Sequence, residues 1–146
     1  MDRQVSIRLL DTVTIAGGAT YASVPVMLES LRHGSIHLIS VGLTSGGTAK
    51  LQGSNVLVPA VRKELNNDTL HWGGLDPDDT GWLDLNISID FPAGVQLNAA
   101  LPGIPPAGIG CGAVASFDMH WLRLVVEIAG PGPTTLNAWG QFKGGA

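Results

Sequence analysis

The chain has 146 residues, 14% of them charged, with 20 Gly, 9 Pro and a net charge of −4; its mean hydropathy is +0.25. That length suits one domain whose core needs no metal or disulfide, and a single cysteine, Cys111, excludes an internal disulfide and a cysteine-based zinc centre. The 8 Lys and Arg are scattered, only Arg62 and Lys63 being adjacent, which argues against phosphate recognition on nucleic acid, and no apolar run reaches the roughly 18 residues of a membrane-spanning helix.

The N-terminus, Met1-Asp2-Arg3-Gln4, lacks a basic stretch followed by an apolar one, so no secretion signal is expected there. Val5 to Ile15 predicts one or two strands before Gly17-Gly18. Pro25 favours extended chain over a helical turn between Val24 and Leu31. Ser35 to Leu43 predicts a strand whose parity slips: Ile36 and Leu38 share one side, while Ile39, Val41 and Leu43 share the other. Such a slip implies a bulge or a strand passing between sheets. Ser45-Gly46-Gly47-Thr48 predicts a turn into Ala49-Lys50-Leu51-Gln52. Val58 to Leu65 has the only helical character and is read as a loop or single turn.

Residues 82–90 carry the cleanest alternation. Leu83, Leu85, Ile87 and Ile89 oppose Asp84, Asn86, Ser88 and Asp90, the pattern of a strand with one wet face, and Pro92-Ala93-Gly94 is expected to end it. Leu97 to Gly112 is apolar and rich in Gly, Pro and Ala; it is expected to be neither helix nor central strand and, with Ile104 and Ile109, to pack against the domain or a neighbour. In 119–128, Leu122, Leu124, Val126 and Ile128 oppose Trp121, Arg123, Val125 and Glu127. Gly130-Pro131-Gly132-Pro133 is expected to turn this strand into another, from Thr134 to Phe142, forming an antiparallel hairpin with Trp121 and Trp139 on comparable polar faces. Short strands, frequent Gly and Pro, and no long amphipathic helix predict an all-β antiparallel sandwich spanning residues 1–146, of jelly-roll type.

Catalytic patterns are weak. There is no phosphate-binding loop and no G-x-S-x-G elbow. Asp76, Asp78 and Asp79 read as an acidic turn rather than a calcium loop, since the twelfth position is Ile87. Four residues along a strand separate His33 from His37 by about 13 Å, too far to share a metal; His71 and His120 each precede a Trp. Cys111 lies among apolar residues, which favours an inert thiol. Asp84 and Asp90 could flank a cleft, as in glycoside hydrolysis, but sit where an alternating strand meets water. No enzyme activity, cofactor or metal is expected. The low charge instead suggests a surface buried against other subunits. Trp is favoured in such contacts, so Trp121, Trp139 and Trp72, with Ile104 and Ile109, are the candidate partner-interface residues.

Phe117-Asp118-Met119-His120-Trp121-Leu122-Arg123-Leu124, Ala129-Gly130 and Thr134-Thr135-Leu136-Asn137-Ala138-Trp139 resemble small virion proteins of tailed bacteriophages. The stretch from Ser35 to Asn55 shares that character, and together these segments cover less than half the chain. The resemblance implies a capsid decoration, or cement, protein on the virion exterior. It also implies that the chain is made in the host cytoplasm, binds the major capsid protein or other virion proteins, and forms a homo-oligomer, dimer or trimer. Proteins of that kind carry no catalytic residues. Val5 to Ile15 could join a neighbour's sheet by strand addition. The alternative is a carbohydrate-binding or receptor-binding module of a tail or head fibre, with Trp121 and Trp139 as the sugar platform.

Overall fold

The computed structural model describes residues 4–28, 31–55, 82–101, 115–116 and 121–144. The strands are β1 (Gln4–Ile15), β2 (Thr20–Ala22), β3 (Val26–Met27), β4 (Leu31–Ser54), β5 (Leu83–Leu101), β6 (Ala115–Ser116), β7 (Trp121–Ile128) and β8 (Thr134–Gly144). All are antiparallel members of one sheet, which curls into a half-barrel.

Four long ribbons make up this sheet. β4 runs for 24 residues, and β5 lies along one of its edges, from Leu101 opposite Ile36 to Leu83 opposite Gly53. The opposite edge is shared: β8 covers residues 31–40 of β4 and β7 covers residues 47–54. β7 and β8 therefore lie end to end, and the expected hairpin between them does not form. Beyond them the N-terminal ribbon repeats the arrangement, β1 pairing β8 while β2 and β3 pair β7.

The Gly130–Pro133 segment is thus a step along one edge of β4, not a reversal. Three bonds to that edge hold it: Ala129 N donates to Gly46 O at 2.9 Å, Ser45 N donates to Thr134 Oγ1 at 2.9 Å, and Ser45 Oγ donates to Pro133 O at 3.5 Å. The Ser45–Thr48 turn and the stop at Pro92-Ala93-Gly94 are likewise absent. Both stretches stay within strands, but with register shifts around Leu43 and Ser45. Gly42, Gly46 and Gly94 there, with Gly18 at the same level, all have positive φ, a conformation Gly reaches at little cost. This line of irregular positions is where every ribbon bends, and β4 changes parity across it: Ile36, Leu38, Ser40 and Thr44 are buried before it and Ala49 and Leu51 after it, whereas Val41 and Leu43, expected to share a side after a slip at Leu38, are exposed. Residues 97–101, expected to be neither helix nor central strand, complete β5, which among the described residues pairs with β4 alone.

The bend gives the half-barrel two parts with one shared core. Leu10, Ile36, Leu38, Leu97, Leu136 and Phe142 come from one side of it; Leu51, Phe91, Leu122, Leu124, Val126 and Ile128 come from the other, and all join a single apolar cluster. Leu85, Ile87 and Ile89 pack on its margin, as their alternation implies. Leu83 departs from the pattern and is exposed; it precedes an irregularity at Asn86, whose φ is 60°. The polar side expected for β7 is corrected more sharply: Trp121, Arg123 and Val125 are buried, and only Glu127 reaches solvent.

Candidate functional site: an exposed Arg-Trp-His row

β8 alternates strictly. Leu136, Ala138, Gly140 and Phe142 face the core, which turns Thr135, Asn137, Trp139 and Gln141 outward. Register then sets their neighbours: Arg8 of β1 lies opposite Trp139 on one side, and His37 of β4 lies opposite it on the other. The Arg8 guanidinium carbon is 4.4 Å from the indole centroid, within cation–π range. The His37 ring centroid is 6.4 Å away at a tilt of 49°. His37 Nε2 and Asn98 Oδ1 of β5 are 2.6 Å apart, the ring N–H donating. Trp139 thus stands between a cation and an imidazole at the centre of a polar outer face and remains 40% exposed.

A clamp on β1 holds Arg8 in place. β1 slips register between Arg8 and Val13, and Thr12 adopts a φ of 51°, unfavourable for a β-branched residue. The Asn137 side chain takes up the freed groups. Its Oδ1 accepts from Thr12 N at 2.7 Å, from Thr12 Oγ1 at 3.2 Å and from Arg8 Nη2. Arg8 Nε donates to Leu10 O at 3.1 Å, and Asp11 lies 3.2 Å from the same guanidinium. Asn137→Ala is expected to destabilise the fold by about 1–3 kcal/mol and to release Arg8 from the indole. Chemical denaturation and the Trp139 side-chain NMR shifts would check both effects.

Trp121 does not share this face. It is 8% exposed and lies in register with Ser54 and Met27, on the far side of the bend. Trp72, Ile104 and Ile109 lie outside the described residues, as do Cys111, His71, His120 and the Asp76–Asp79 cluster. Of the proposed interface residues, Trp139 is the one the described structure presents to solvent. Arg8, His37 and Asn137 were missed by sequence reasoning. Each is an ordinary polar residue in a strand, and only long-range register brings them together.

A second polar cluster surrounds Arg123, which is fully buried. Its Nε donates to Gln52 Oε1 at 2.9 Å, and its guanidinium carbon is 4.2 Å from the Trp82 ring centroid. Gln52 Nε2 donates in turn to Asp84 Oδ1 at 2.9 Å. That bond, reinforced by Lys50 Nζ at 3.3 Å, holds the Asp84 carboxyl below its usual range. A general acid needs the opposite shift, so this carboxylate is kept ionised as a structural acceptor. Asp90 accepts from Thr48 Oγ1 at 2.8 Å. Among the described residues, no group of three or more His, Cys, Asp or Glu could hold a metal. A groove of about 360 Å³ lies between β1 and the β3 region, lined by Val5, Ile7, Arg8, Leu9, Val26 and Leu31.

No protein-family model and no curated protein matches this sequence.

Proposed function

We propose that this chain is a structural virion subunit of the capsid decoration type, which binds an assembled shell and uses the outer face centred on Trp139 as a protein-binding surface. The observation that carries the reading is Trp139 itself: a large indole, held by Arg8 and His37 and left open to solvent. Trp and Arg are the residues most enriched where interfaces concentrate their binding energy. The surrounding Asn98, Asn137 and Gln141 supply hydrogen-bonding groups at the rim. A shell offers many equivalent sites, so modest single contacts add up by multivalency.

The fold is read further as a two-layered jelly roll. In support, β1, β8 and the first parts of β4 and the last of β5 are consecutive neighbours on one side of the bend. β2, β7 and the remaining parts of β4 and β5 are consecutive neighbours on the other. The shared apolar cluster between the two sides agrees with a sandwich. On this reading the partners are the major capsid protein or other virion proteins, together with further copies of the chain in a homo-oligomer. The location is the capsid exterior.

Co-sedimentation of the purified chain with capsid shells from its source tests the proposal. The wild type is expected to pellet with shells, and Trp139→Ala is expected to bind at least about 30-fold more weakly, the effect of losing a contact worth about 2 kcal/mol. A wild type that stays in the supernatant overturns the reading. The alternative, glycan binding, draws on the amide groups beside Trp139. Trp121 adds nothing to a sugar platform, because it is buried elsewhere. Binding on a glycan array that disappears in Trp139→Ala would favour that alternative.

A further inference from the structure

We propose that the Arg8–Trp139–His37 row docks onto a second copy of this chain, on the outward row Glu127–Thr48–Asp90. This rests on the reading of the Trp139 face as a protein-binding surface and names one occupant for it.

The acceptor row lies on the other side of the bend. Thr48 of β4 is in register with Glu127 of β7 on one side and with Asp90 of β5 on the other. Glu127 and Asp90 are exposed, and Thr48 is half-buried between them. Adjacent strands are about 4.8 Å apart, so the two carboxylates are spaced by about 10 Å across the sheet. Arg8 and His37 also sit two strands apart, by the same spacing, with Trp139 between them.

The two rows are complementary in charge where Arg8 meets Glu127, and in shape. One presents a guanidinium and an imidazole on either side of a protruding indole. The other presents two carboxylates on either side of a small threonine, so the indole of one copy fits over Thr48 of the next. Other charges nearby leave this match in place. Lys50, beside the acceptor row, is engaged by Asp84. Asp11 meets Arg8 in an exposed pair, a contact worth little in water, so the guanidinium can also receive a carboxylate from outside. Each chain has one row of each kind on different surfaces, so the contact is heterologous. Such contacts close into rings when the rotation permits.

Light scattering on the full chain tests this with Arg8→Glu, Glu127→Arg and the double variant. The wild type is expected to form an oligomer that weakens as salt rises, because charge complementarity drives the encounter. Each single variant is expected to fall to the 15.1 kDa monomer. An equimolar mixture of the two single variants should reassemble beyond the monomer, through the intact Arg8–Glu127 contact and the charge-exchanged contact alike. The double variant, with both charges exchanged, should recover the wild-type mass, which separates a lost contact from a damaged fold. A monomeric wild type overturns self-docking, as does a single variant that keeps the wild-type mass or a mixture that stays monomeric. A monomeric wild type that still pellets with shells rejects self-docking alone; one that also fails to pellet rejects the shell-binding reading too.

Discussion

Phe142→Ala is expected to cost about 3–5 kcal/mol, the range for emptying a fully buried aromatic site. Phe142 has no solvent exposure, and its ring lies against two glycines. A Cβ placed on Gly34 would come 2.5 Å from the ring, as would one placed on Gly140. Gly34 faces Phe142 across the β4–β8 pair, and Gly140 precedes it by two residues on the same face of β8. The ring therefore fills the volume that two missing side chains leave open, and nothing nearby can replace it by a small shift. Gly140→Ala should fail for the opposite reason, overpacking, at about 1–3 kcal/mol. Urea unfolding followed by tryptophan fluorescence would measure both. A loss below about 1 kcal/mol for Phe142→Ala would mean the site collapses freely and would contradict this packing.

Arg123→Ala is expected to cost about 2–5 kcal/mol, the range for emptying a large buried site, with the Gln52 amide left short of a partner. It removes the donor to Gln52 Oε1 and the cation stacked on Trp82, and it leaves a buried volume empty. Arg123→Lys should not restore the loss, because an ammonium offers neither the Nε–H bond nor a planar face to the indole. Gln52→Met should cost about 1.5–3 kcal/mol through the lost charge-assisted hydrogen bond. If Arg123→Lys matched the wild type in denaturant, charge alone would be the stabilising feature and the stacked geometry irrelevant.

These two sites show how far local pattern reaches. Alternation placed Leu136, Ala138 and Phe142 inside and Trp139 outside, because successive side chains of a strand point to opposite faces and only one face of β8 is buried. The same rule failed for Trp121 and Arg123. Their residues alternate equally well with the apolar ones, but both faces of β7 are covered. Whether a second face is covered depends on what packs there, and that is no property of the strand.

Local pattern misplaced the parity change of β4, which falls between Gly46 and Ala49 and leaves Val41 and Leu43 exposed, but it established that the chain is all-β and that β5 has a wet face along Asp84, Asn86, Ser88 and Asp90. Each follows from short-range periodicity, which the backbone imposes wherever a strand meets an apolar core. Tertiary structure alone decided which strands are neighbours. Glycine and proline at 130–133 permit a sharp change of path but do not specify the edge that receives the next strand. Here a backbone bond from Ala129 to Gly46 and the Thr134 hydroxyl accepting from Ser45 N carry β8 onward along β4 instead of back along β7. The Arg8–Trp139–His37 row has the same origin: three residues far apart in the chain meet because hydrogen-bond register, set by the bulges at the bend and in β1, places them side by side.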